Sequence, residues 1–198
     1  MIPLYESSDT TAVIPAEEYI ARYRDTERFI AYCRKCDRYG ACWACPPFGP
    51  GADACLSGHR TVLLVGTRIL PDPALRRCRE AGRCREIGRE MLGRERARLD
   101  PLLLEWERND PGSRAFFAGT CHLCPTEGCT RREGLPCRHP GLIRPSLEAF
   151  GFDIGRTASE LLHIELKWSR DGLLPEYFTL VSGVFSDRKP EEITWNRA

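Results

Sequence analysis

Four cysteines within seventeen residues, Cys121-x2-Cys124-x4-Cys129-x7-Cys137, restrict what this chain can form more than any other feature. A loop that dense in thiols closes around a metal ion or an iron–sulfur cluster, because inward-pointing thiolates replace a core that the loop cannot build itself. A second group lies upstream: Cys33-x2-Cys36-x5-Cys42-x2-Cys45, followed by Pro46 and Pro47, with Cys55 just beyond. The reading is a pair of metal-binding loops, at 33–58 and 119–140, carried on one domain spanning 1–198. At 198 residues a core can form without metal, since burial on folding at this size is about 70%.

Compartment follows from the same residues. Eleven cysteines is an odd count, which argues against a closed set of disulfides, and thiols in a reducing environment bind metal more often than they pair. Met1 to Thr10 contains Glu6 and Asp9 and neither a basic start nor an apolar run, so no secretory signal is read there. A cytoplasmic protein is expected. Lys and Arg total 29 against 28 Asp and Glu, a balance that gives no reason to expect nucleic acid or an anionic membrane as partner.

Zinc and iron–sulfur clusters both accept four thiolates, so spacing must discriminate. Structural zinc favours two well-separated Cys-x2-Cys knuckles. The group of Cys121, Cys124, Cys129 and Cys137 has one such pair and then widening gaps, which suits the larger body of a cluster. Prolines beside cysteines, as in Cys45-Pro46 and Cys124-Pro125, occur in ferredoxin loops as well. A [4Fe–4S] cluster is therefore expected there, with zinc as the alternative. The group at 33–45 is open. Cys33, Cys36, Cys42 and Cys45 could form one set, Cys55 could replace Cys42, or one position could stay free for substrate on a Lewis-acidic iron.

The string Cys33-x2-Cys36, Tyr39-Gly40, Trp43-x-Cys45-Pro46-Pro47 resembles the opening motif of a bacterial and archaeal family of cysteine-rich predicted metal-binding proteins. Downstream, Gly119-x-Cys121-x2-Cys124, Pro136-Cys137-Arg138-x-Pro140 and Pro145-Ser146-Leu147-Glu148-Ala149, with Gly151 and Asp153, resemble the same family. The similarity spans about residues 26–185. It implies thiolate metal binding, iron–sulfur rather than zinc, and names no reaction. The chain departs from the pattern in the spacing of Cys129 and in the additional Cys42.

The rest of the chain reads as α+β: a small sheet with a C-terminal hairpin, packed helices and the two loops. Residues 1–14 read as an extended or loose arm. Pro15 opens one helix, and a second runs from Thr26 to Tyr32. Thr61 to about Leu70 is a buried strand. Ala74–Leu99 and Pro101–Arg108 read as separate helices, with Asp100-Pro101 as the cap and first position of the second. Residues 145–151 form a short helix ended by Gly151. Leu162, Ile164 and Leu166 alternate with polar residues, predicting a strand that pairs with a return strand at 178–185, and the last dozen residues read as frayed.

Cys78 and Cys84, six apart on a predicted helix, fall on different faces and read as buried small hydrophobes. His122 and His139 read as neighbours that tune a cluster rather than as ligands. The arginine-rich stretch 76–98 reads as a solvated face laced with Glu–Arg pairs. Three functions remain: an electron carrier serving a redox partner protein, an enzyme with an incompletely ligated cluster, and a zinc-stabilised interaction module.

Overall fold

A computed structural model describes residues 4–125 and 128–195. Its centre is a four-stranded antiparallel sheet of order β1-β2-β4-β3. The strands are β1 (Tyr5–Pro15), β2 (Thr61–Pro71), β3 (Arg114–Phe116) and β4 (Phe178–Ser186), and the helices begin with α1 (Ala16–Tyr23), α2 (Thr26–Cys33) and α3 (Ala81–Asn109). β2 is the aliphatic run Thr61–Val65 extended, and Val62 to Val65 are all buried because both faces of this central strand are covered.

The arm, read as extended or loose, is extended and forms an edge strand: from Tyr5 onward it pairs with β2 along its whole length, Thr11 opposite Val65. Its Ser-Ser-Asp-Thr-Thr sequence hides this, because an edge strand exposes one face and needs few apolar residues there. Its polar face is nonetheless tied down. Asp9 accepts hydrogen bonds from Thr67 and Arg98 and from the indole of Trp195. Burial works against the Asp9 carboxylate, but those bonds outweigh it and hold its pKa below the usual value. Trp195 and the buried Ile193 pack on the sheet, so the described part of the C-terminal segment is anchored rather than frayed.

Alternate residues of the strands feed two layers. On one face α1 lays Tyr19 and Tyr23 against Val62, Leu64, Phe116, Val181 and Phe185, joined by Leu147, Phe150 and Phe152. On the other, α3 contributes Ile87, Met91, Leu99, Leu103 and Leu104 against Ile69, Leu180, Ala115 and Val184.

α3 is one helix of 29 residues with Pro101 inside it, not two helices meeting at a cap. An interior proline costs about 3 kcal/mol. Burying Leu99, Leu103 and Leu104 on either side is worth roughly 1.5–3 kcal/mol each, so packing overrides the local signal. Asp100, expected to cap, instead pairs with Arg96 one turn earlier at 3.0 Å. The helix also starts later than predicted, at Ala81. Cys78 therefore precedes it and lies beside Cys84, whose pKa is raised mainly by the hydrogen bond between the two thiols.

Among the described residues the expected C-terminal hairpin does not form. β4 forms, but β2 occupies one of its edges and β3 residues 183–185 of the other, and residues 162–167 form no strand. His163 there has a left-handed backbone (φ 54°). The alternation of Leu162 and Ile164 is still real. Both lie across Gly66 of β2, where an added Cβ would stand 2.8–2.9 Å from their Cδ1 atoms.

Residues 148–150 form a single tight turn ended by Gly151, and Asp153 caps the short helix α4 (Ile154–Arg156). Gly151 has φ +88° and an added Cβ would meet Thr26 Cα at 2.6 Å. Its carbonyl accepts from Asp25 N at 2.8 Å. Glycine is thus what lets this turn seat on the start of α2, directly before the first cysteine loop.

Candidate metal centre

Each Cys-x2-Cys of the first loop is a tight turn: Cys36 N donates to Cys33 O at 2.9 Å, and Cys45 N to Cys42 O at 3.0 Å. α2 ends at Cys33, and Gly40 N closes the loop on Pro46 O at 2.8 Å. In the second loop a turn through Thr130–Glu133 ends at Gly134, and the Thr130 hydroxyl donates to Pro136 O at 2.8 Å. This folds Cys129 and Cys137 back toward Cys121 and Cys124. Backbone donors face the sulfurs, with Arg38 N 3.5 Å from Cys36 Sγ and His139 N 3.3 Å from Cys137 Sγ.

The two loops, read from sequence as separate, are interlocked. The Arg131 guanidinium donates to the carbonyls of Cys42 (2.7 Å), Cys45 and Pro47, and its cation lies 5.2 Å from the Trp43 ring centre. Trp43 returns the contact by donating its indole N–H to Leu135 O at 3.1 Å. Trp43 belongs to the Trp43-x-Cys45-Pro46-Pro47 string that the sequence marks out, whereas Arg131 carried no recognisable metal-site signal. Arg131 sits in a polar Thr-Arg-Arg-Glu stretch, and only the partner loop's bare carbonyls explain it.

Interlocking brings thiols together. Cys42, Cys121, Cys124, Cys129 and Cys137 line one small cavity of about 20 Å³, with Arg38, Arg138 and His139 also at its wall. Cys42 is the junction. It is 1% exposed, and the Thr120 hydroxyl donates to its Sγ (3.8 Å) while lying 3.3 Å from Cys45 Sγ. Hydrogen bonds from the Cys121 and Cys45 thiols push the Cys42 pKa far down, against the opposing effect of burial, with Ala44 N and Thr120 assisting. Donating to Cys42, together with burial, pushes Cys45 and Cys121 up. The cysteine that departs from the family pattern is thus the one whose sulfur meets thiols of both loops.

Cys33 and Cys36 stand at the outer end of this row. Burial raises the Cys33 pKa, and the nearby charges of Cys36 and Glu148 add to it. Cys36 in turn acts on Cys45. Cys55 is not part of the row. It packs against the apolar core around Leu56 and Phe150, and burial raises its thiol. His122 faces away to Asp100 at 3.2 Å, whereas the backbone of His139 is the part that touches sulfur. The arginine-rich face carries the expected pairs, such as Arg94–Glu90 and Arg83–Glu86.

Among the described residues, no group of three or more His, Cys, Asp or Glu side chains is spaced to hold a single metal ion. No helix there is long and apolar enough to cross a membrane.

The model of the family described as "Predicted metal-binding protein (DUF2284)" matches residues 16–185. The chain belongs to this family. That span contains both cysteine loops, the whole of α3 and all but the last residue of β4, so in this DUF2284 member the matched region and the thiol-bearing framework coincide. No curated protein and no solved structure matches the chain.

Proposed function

We propose that this chain is an iron–sulfur protein whose two loops hold one or two [4Fe–4S] clusters, and that it passes electrons to a partner protein. The observation that supports it most is the meeting of Cys42 with Cys121, Cys124, Cys129 and Cys137 on one cavity. The donor set fits the group: the ligating atoms at that wall are thiols, and Arg38 and Arg138 beside them balance the negative charge that thiolate-ligated clusters carry.

Cys121, Cys124, Cys129 and Cys137 would hold one cluster. Cys33, Cys36 and Cys45 would hold the other, with Cys42 completing one of the two sets. A bound cluster supplies one-electron exchange. The protein's part is to hold Cys42 where Cys121, Cys45 and Thr120 donate to its sulfur, to direct the N–H groups of Arg38 and His139 at sulfur, and to cover the loops with Trp43 and Arg131. Thiol protons shared along Cys121–Cys42–Cys45 leave when the sulfurs bind metal, so loading is favoured as pH rises.

The test is anaerobic purification followed by iron, acid-labile sulfide and zinc analysis with a visible spectrum. Broad absorbance near about 400 nm with equimolar iron and sulfide is expected of clusters. A colourless protein carrying zinc alone would refute the reading.

A further inference from the structure

β3 stops short of the end of its neighbour. It pairs with β4 only at residues 183–185, Phe116 opposite Gly183. From Phe178 to Ser182 that edge of β4 has no strand beside it among the described residues. The ladders fix which backbone groups lie there. Asp72 N donates to Leu4 O and Ala16 N to Arg60 O, so the even-numbered residues of β1 and β2 bond to each other and the odd-numbered residues of β2 turn to β4. Val65 stands opposite Ser182 and Thr67 opposite Leu180, so the odd-numbered residues of β4 turn the other way. Phe185 and Gly183 meet Arg114 and Phe116 there. Thr179 and Val181 direct their N–H and C=O groups past the end of β3, and among the described residues neither has a backbone partner on that side.

A cleft of about 430 Å³ opens beside them, with Gly119 at the end where β3 leaves off. One wall is Leu92 of α3, which packs with Phe178 and Leu180; the other is Leu166, which belongs to the core on the opposite face of the sheet. The two layers that cover the sheet thus stand on either side of its open edge and leave a slot in line with β3. Trp168 lies at the rim, 74% exposed. Of the charged side chains at the slot, Lys167 is held by Glu165 at 2.5 Å, and burial pushes the Glu148 carboxyl up, toward its neutral form.

We infer that this slot takes an extended segment of a partner protein as an added strand, antiparallel to β4 and continuing the line of β3. Unpaired N–H and C=O groups that alternate along a strand edge are matched by the backbone of another extended chain. The pleat then sets the side chains of the guest. Residues opposite Thr179 and Val181 point to Leu166 and Trp168, and the residue between them points to Leu92 and Phe178. Both walls are apolar, so the guest is a run of about three aliphatic residues, the composition that strands favour. Gly119 is two residues before Cys121. That a docked partner exchanges electrons there rests on the iron–sulfur reading, whereas strand addition rests on the sheet alone.

The probe is the blocked peptide acetyl-Ser-Val-Leu-Val-Ser-amide, titrated by calorimetry into the anaerobically purified full chain, with iron measured on the same sample. Saturable binding at about 1 mM or tighter is expected, with slowed hydrogen exchange at the amides of Thr179 and Val181. Methylating both valine nitrogens of the peptide should weaken binding at least about tenfold, while methylating the leucine nitrogen changes it less than about twofold, since only alternate groups of a strand face its neighbour. Trp168→Ala, at an exposed site, should weaken binding at least about fivefold. Thr179→Pro removes an N–H that the β2 ladder does not use and should abolish binding. No saturable heat at about 10 mM peptide, equal sensitivity to the two methylations, or binding unchanged in both variants overturns the proposal. So does full exchange protection of Thr179 and Val181 without peptide, which would mean that the chain's own segment fills the slot, or a dimer that the peptide splits, which would mean that a second copy does. Peptide binding to a chain that holds no iron upholds the slot and removes the redox centre, so the two failures are told apart.

Discussion

Replacing Arg131 by Met should loosen the metal centre without touching a thiol. The guanidinium bonds three carbonyls of the other loop, those of Cys42, Cys45 and Pro47. Bonds to charged donors contribute about 1.5 kcal/mol each at the low end, which gives about 4–5 kcal/mol for the three. Arg131 is only half-buried, and water takes up part of what is lost, so about 2 kcal/mol should remain. At 1.4 kcal/mol per decade, that is roughly a thirtyfold rise in the fraction of time the loops stand apart. Arg131→Lys keeps a charge that can serve the carbonyls singly but not as a fork, and should fall between. The assay is the rate at which a chelator bleaches the anaerobic protein, followed at the cluster band, with hydrogen exchange at residues 42–47 as a metal-independent readout. Bleaching and exchange in Arg131→Met as slow as in the parent would show that this contact does not hold the loops together.

Cys42→Ser should lower bound iron and sulfide, whereas Cys55→Ser should leave both unchanged; equal loss in the two variants would contradict the separate placement of Cys55 in the apolar core. Gly151→Ala should destabilise the fold by about 3 kcal/mol, combining a left-handed backbone cost of about 1–2 kcal/mol with the shift needed to clear Thr26 Cα at 2.6 Å. Thermal unfolding should fall by about 6–12 °C, and a change within error would refute the close seating of that turn on α2. Burial would raise the Glu107 pKa, but bonds from Arg144 and from Ala115 N outweigh it and hold it below the usual value. A depressed folded pKa contributes stability above the unfolded value near 4.5 that is lost as pH falls through the folded value. Glu107→Gln should thus be less stable than the parent at pH 7, and the gap should close toward pH 3; a gap independent of pH would show that the charge is not what matters.

The cysteine arithmetic was legible because metal chemistry acts on local spacing. Every thiol of the cavity belongs to one of the two groups that the sequence marks out. That Cys42 meets the thiols of the second group was not legible, since Arg131 and Trp43 bring the loops together across about ninety residues of chain. The central strand was readable from Val62-Leu-Leu-Val65, whose burial is complete. β1 was not, because an edge strand with a polar face carries little apolar signal. Pro101 and the Leu162–Leu166 alternation misled for the same reason: local rules describe a segment's preferences, and the neighbours in the sheet decide. The Cys78–Cys84 pairing was missed through a helix start displaced from Ala74 to Ala81, which invalidates any angle counted along the helix.

The Cys42–Thr120–Cys45 contact has a consequence for how the protein comes to exist. During synthesis the first loop leaves the ribosome some eighty residues before Thr120 and Cys121, and until then its sulfurs have no opposing wall. Metal offered at that stage meets an unfinished vessel. On the iron–sulfur reading, iron and sulfide must arrive after β2 and α3 have docked, or the early thiols must be shielded until they have.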